Sequence, residues 1–147
     1  MAGSATGVRM NETTGGSDTA RRAGATAAAR RALGAYGERV AERVLTDAGM
    51  RILDRNWRCH EGELDIVALD DDCLVFCEVK TRRSGAYGFP AEAVTAVKAA
   101  RLRRLAGAWL SAHAGRGLCF GSVRIDVIAV TRPPAGAAHV EHLRGAC

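Results

Sequence analysis

Apolar residues first fall into a helical rhythm at Leu33, Tyr36, Gly37, Val40, Ala41, Val44, Leu45 and Ala48, with Gly49 suited to the position after a helix end. The pattern predicts a helix over residues 32–48, with Glu38 at the edge of its apolar stripe and Glu42 further toward solvent. A strand is expected over residues 51–56, then a loop through Arg58, Cys59, His60 and Glu61. Alternation then takes over. The segments 62–67 and 75–80 flank Asp70-Asp71-Asp72 and read as two strands of a hairpin. Because side chains alternate along a strand, Glu63, Asp65, Val67 and Leu69 should share a face with Leu74, Phe76, Glu78 and Lys80. The other face, Leu64, Ile66, Ala68, Val75, Cys77 and Val79, is apolar throughout.

Residues 81–90, with Gly85, Gly88, Arg82, Arg83 and Tyr87, read as a loop closed by Pro90. A second helix is expected over 91–112, gathering Val94, Val97, Leu102, Leu105 and Trp109 on one face. Lys98 falls inside that stripe, whereas Arg103 and Arg104 point away. Alternation returns over 122–130, Pro133-Pro134 and Gly136 make a turn, and 139–143 adds a short last strand. The order αβββαββ describes an α/β fold with a mixed sheet.

The hairpin carries an electrostatic conflict. With Asp71-Asp72 as a two-residue turn, Asp65 lies across from Glu78 and Glu63 across from Lys80. Like charges directly opposite on a sheet repel, so such a pair calls for an intervening cation or a proton on one acid. Hard divalent cations take oxygen ligands, and Mg²⁺ commonly uses one or two carboxylates with waters and phosphate oxygens. Asp65 and Glu78 supply that pair, the Val79 carbonyl could add a ligand, and Lys80 returns to the same face. An ammonium there can orient a water and stabilise charge developing on a phosphate. This is equipment for phosphodiester hydrolysis. The bland reading is a surface hairpin with a Glu63–Lys80 pair and a solvated Asp65. It leaves the cover of Val67, Leu69, Leu74 and Phe76 unexplained.

Composition narrows the picture. The chain has 147 residues, 48% of them hydrophobic, enough for one core. No run approaches the roughly 20 apolar residues of a membrane span. Five cysteines without a Cys-x-x-Cys pair fit reduced thiols, and a cytoplasmic protein is expected. Residues 1–31, poor in large apolar side chains, are expected to be a disordered tail ahead of a domain over 32–147. That tail holds five Arg against two acids, whereas the rest holds 16 basic and 14 acidic residues. Any nucleic-acid surface must therefore be a local patch. Lys80 and Lys98 are the only lysines among 21 basic residues, which marks both as candidates where a compact ammonium is wanted. For Lys98 the competing reading is an apolar stem with a snorkelling head.

The ordered set Gly37-Glu38, Arg55-Asn56, Gly62-Glu63-Leu64-Asp65, Val75-Phe76-Cys77-Glu78-Val79-Lys80, Gly88-Phe89-Pro90, Ala93-Val94, Lys98 and Arg124-Ile125-Asp126-Val127-Ile128 resembles the YraN family. These bacterial proteins are related to archaeal Holliday-junction resolvases within the PD-(D/E)xK nuclease superfamily. The resemblance covers about residues 33–147. It implies a restriction-endonuclease-like core with Asp65 and Glu78 as ligands of Mg²⁺ or Mn²⁺ and Lys80 as the catalytic lysine. Glu38 matches the helical acidic residue that resolvases bring to the metal. Leu64 stands where the superfamily often has proline. The implied activity is hydrolysis of DNA, with branched or damaged DNA among the substrates considered, and resolvase kinship allows a homodimer. Arg82, Arg83, Tyr87 and Lys98 are candidate nucleic-acid contacts, with Arg55, Arg58, Arg101 and Arg104 behind them. The alternatives are a non-catalytic nucleic-acid-binding module and a phosphodiesterase acting on RNA or nucleotides. His139 and His142 lack an evident third ligand, which argues against zinc.

Overall fold

The structure, a computed structural model, describes residues 15–85 and 94–147, with side chains described from residue 19 onward. The chain divides into two units, Met1–Ala32 and Leu33–Cys147. Helix α1 (Gly15–Asp47) starts well before residue 32, inside the stretch expected to be disordered. The lack of large apolar residues there removes a core but not helix propensity, since Ala23, Ala25, Ala27, Ala28 and Ala29 are the strongest helix formers. Apart from Ala27, side chains 19–32 are exposed, so that part of the helix rests on propensity rather than burial.

From Leu33 onward the apolar stripe meets a sheet. Strands β1 (Arg51–Cys59), β2 (Gly62–Asp70), β3 (Cys73–Arg83), β4 (Ser122–Arg132) and β5 (His139–Leu143) lie side by side in chain order, with α2 (Ala96–Ala112) between β3 and β4. β3 and β4 are parallel and the other neighbours antiparallel. The expected αβββαββ order and mixed α/β sheet are thus present, and the architecture is compatible with a restriction-endonuclease-like core. On one face Ala41 and Leu45 of α1 pack with Met50, Ile66, Ala68, Val75, Cys77, Ile128 and Val130. On the other, Leu102, Leu105, Ala106 and Trp109 of α2 pack with Leu64, Val67, Leu74, Phe76 and Ile125. The Trp109 indole N–H also donates to Asp54 on β1, 3.0 Å away, which ties α2 to the sheet.

Several boundaries differ from expectation for identifiable reasons. β3 extends to Arg83 because β4 offers backbone partners as far as the Arg83–Arg132 pair, so Arg82 and Arg83 lie on a strand, not a loop. The Thr95 hydroxyl accepts the Lys98 N–H and caps α2, so the helix starts at Ala96. Val97 is 78% exposed, outside the apolar stripe. Tyr87, Pro90 and the expected helix start at 91 lie outside the described residues.

A second buried feature went unread in the sequence. Asp126 is fully buried and bonds Arg124 Nε at 2.8 Å, His142 Nε2 at 2.7 Å and the Gly145 N–H at 2.9 Å. Burial raises its pKa, but Arg124, Gly145 and His142 together outweigh that and hold it low. His142 is therefore engaged with a carboxylate.

Gly37 sets how closely α1 approaches the sheet. A Cβ there would overlap the Thr81 hydroxyl of β3. Gly37→Ala is expected to lower unfolding free energy in urea by about 1–3 kcal/mol, the usual range for forced overpacking. Simultaneous Thr81→Ser, which keeps the hydroxyl but removes the methyl, should recover only part of that loss.

Candidate functional site

The Asp71-Asp72 turn sets the hairpin register as expected, with β2–β3 pairs running from Asp70–Cys73 to Ile66–Cys77. Asp65 and Glu78 come next in that register. There the strands part: β2 continues along β1 through Leu64–Trp57 and Gly62–Cys59, while β3 continues along β4. In place of a strand carbonyl, the Val79 N–H donates to Asp65 Oδ2 at 2.7 Å.

The alternation of faces also reverses at this fork. Arg55 and its partner Ile66 lie on the α1 side, where Arg55 pairs with Glu42. Trp57 and its partner Leu64 lie on the α2 side. Between them Asn56 has φ of +49°, a left-handed conformation that Asn tolerates better than most residues. The expected apolar face therefore holds except for Leu64, which turns to the other side. Asp65 sits at the reversal.

The two opposed acids meet their conflict by different means. Glu78 is only 8% exposed, and its Oε1 lies 2.9 Å from Lys80 Nζ and 3.6 Å from Arg101 Nη2. Among the described residues Asp65 has no ion-pair partner. Burial, above all, raises its pKa to about 7; the Val79 hydrogen bond opposes this, and the negative charges of Glu78, Glu38 and Glu63 add to it. Glu63 pairs with Arg58 at 3.3 Å, so the Glu63–Lys80 pair of the bland reading does not form.

The sequence candidates distribute around this fork. Glu38 shares with Asp65 an open cleft of about 200 Å³, also lined by Arg39, Glu42, Arg55 and Asn56. Lys98 lines a small recess with Glu78, Lys80 and Arg101. Its side chain is exposed, as a snorkelling lysine's would be. Arg83 lies at the far end of β3, away from these two recesses. Arg101 gained its role only from the structure. Its signal was the spacing Lys98, Arg101, Leu102, Leu105, which puts a cation on the sheet-facing side of α2.

As a ligand set, Asp65 and Glu78 are brought to one fork with Glu38 beside it. The structure does not gather them into a ready cage: among the described residues no group of three or more His, Cys, Asp or Glu side chains is placed to hold a metal. Any ion here would draw most of its ligands from water or substrate.

The ionisation of Asp65 has a consequence for stability. Between its ordinary value of 3.8 and its folded value of about 7, the folded chain binds more protons than the unfolded one. Stability therefore falls as pH rises through that window. Asp65→Asn keeps an oxygen for the Val79 N–H and removes the charge. The variant should be more stable than the parent at pH 8 by on the order of 1 kcal/mol, the gain shrinking toward pH 4. Urea unfolding at both pH values measures it; a pH-independent difference would contradict the raised pKa.

The family model described as "Uncharacterised protein family UPF0102" matches residues 37–130, a span that holds the whole fork. A UPF0102 protein of Kineococcus radiotolerans is 61% identical over 117 residues, covering 80% of this chain and 94% of the relative. One from Beutenbergia cavernae is 60% identical, covering 80% and 97%. One from Streptomyces coelicolor is 57% identical over 123 residues, covering 83% and 93%.

Proposed function

The chain belongs to the UPF0102 family, and from its fork of acids we propose that it is a metal-dependent endonuclease that hydrolyses DNA phosphodiester bonds. The observation that carries this reading is the Asp65 carboxyl, held by the Val79 N–H beside Glu78 and Glu38 and without an ion pair among the described residues. An acid that gives up its proton only near neutral pH, beside a second carboxylate, is a donor set that fits Mg²⁺ or Mn²⁺ with waters and phosphate oxygens filling the remaining positions. The site residues would be Asp65, Glu78 and the Val79 carbonyl, with Glu38 reaching in from α1. A bound divalent ion would supply Lewis-acid charge to the phosphodiester.

The chain's own groups then divide the work. The Val79 N–H holds Asp65 in one orientation, so its free oxygen faces a fixed place. Lys80, paired to Glu78 yet 42% exposed at its side chain, can lend a donor to a phosphate oxygen or an attacking water. Arg101 steadies Glu78 from the α2 side and leaves Lys80 free to move without stranding the buried carboxylate. Glu38 adds a negative field at Asp65 that attracts positive charge, whether a proton or a cation.

One observation favours a second reading. Glu78 already has two cationic partners, so the cluster could serve as a structural ion-pair network in a nucleic-acid-binding module that does not cut.

Purified protein with Mn²⁺ should cleave at least one of branched, nicked, single-stranded and duplex DNA. Asp65→Ala and Lys80→Ala should each lower turnover about 100-fold or more while retaining the native circular dichroism spectrum. DNA binding without cleavage would select the binding module, and cleavage of RNA alone would select a ribonuclease.

A further inference from the structure

β3 and β4 both end on an arginine. Arg83 and Arg132 are direct partners in the parallel ladder, both exposed. Like charges at paired positions repel. Among the described residues neither has a carboxylate within ion-pair distance; Arg51 likewise has none, whereas Arg55, Arg58 and Arg124 of the same sheet each do.

The pair is held in place nonetheless. The Arg132 guanidinium lies over the Tyr36 ring, 4.7 Å from its centroid, which restricts the side chain. The Ser84 N–H donates to the Arg132 carbonyl at 3.0 Å, which keeps the chain beyond Arg83 against the end of β4. Arg83, Ser84, Arg132, Pro133 and Pro134 line an open cleft of about 350 Å³. Two guanidinium forks and a hydroxyl offer donors suited to phosphate oxygens.

We propose that Arg83 and Arg132 form a phosphate clamp for the DNA backbone. Arg83 is three residues beyond Lys80, about 10 Å along the strand at a rise of about 3.3 Å per residue, and on the opposite face, the α1 side on which Arg132 meets Tyr36 and Glu38 meets Asp65. A bridging phosphate would relieve the repulsion between the arginines. The clamp would fix where the substrate strand lies relative to Asp65, which opens on the same side of the sheet. This assignment rests on the nuclease reading for its DNA partner, but the anion chemistry stands on the arginine pair itself.

Two measurements, both in EDTA, test it. Millimolar inorganic pyrophosphate should raise the thermal unfolding midpoint of the parent, and Arg83→Gln/Arg132→Gln should abolish the shift. Equal shifts would overturn the clamp. In fluorescence anisotropy with duplex DNA, the double variant should bind about tenfold more weakly, with the slope of log affinity against log salt smaller by about 1. Unchanged affinity and slope would also overturn it. If pyrophosphate acts through the arginines but the parent binds no DNA in EDTA or with Mn²⁺, the anion site stands while its assignment to DNA and the nuclease reading both fall.

Discussion

A single amide needs a partner, and the acid that supplies it organises this fold. Along β3 successive N–H groups point to opposite neighbours, and Val79 points toward β2 just where β2 has turned away with β1. An unsatisfied buried N–H would cost a few kcal/mol. The Asp65 side chain substitutes for the missing carbonyl. That one bond lets the sheet open into a fork without a backbone penalty. It also holds a half-buried carboxyl where three other acids contribute negative charge. The strain of the site and the continuity of the sheet are two results of the same contact.

The two helices then furnish the fork from opposite sides. α1 can approach β3 closely because Gly37 has no Cβ to meet Thr81, and the next residue, Glu38, reaches the cleft beside Asp65. α2 is fixed to β1 through Trp109 and Asp54, and the same helix delivers Arg101 to Glu78. A negative side chain thus arrives from one layer and a positive one from the other. Lys80, on the strand itself, lies between these influences.

Much of this was legible before the structure. The Asp71-Asp72 turn and strict alternation determine register together, which is why Asp65 and Glu78 could be placed opposite one another; Glu38 was placed near them by its position at the helix edge and by the family resemblance. Leu64 was misplaced because alternation assumes a regular backbone, and the left-handed Asn56 across the sheet breaks it. The early start of α1 was missed because low hydrophobicity was read as disorder, although alanine-rich sequence holds a helix without burial. Arg101 and Asp126 eluded the pattern for another reason. Glu78 lies far from Arg101 in sequence, and although Arg124 is only two residues from Asp126, the His142 and Gly145 groups that complete its shell come from beyond β4, so no local spacing encodes either cluster. Lys98 stood out by its rarity, yet its exposed head makes no ion pair among the described residues, whereas the ordinary-looking Arg101 does.

The Asp126 cluster has a bearing on how the sheet moves. β5 is an edge strand, and edges ordinarily fray independently of the body they border. Here His142 on β5 and the Gly145 N–H just beyond it are two of the groups that compensate a carboxylate with no exposure to solvent. Peeling the edge away would leave Asp126 with Arg124 alone beneath the sheet surface, a state far more costly than a few broken ladder bonds. The opening of β5 is thereby linked to the opening of the core. Its amide protons should exchange on the slow timescale of β4 rather than on that of a loose margin.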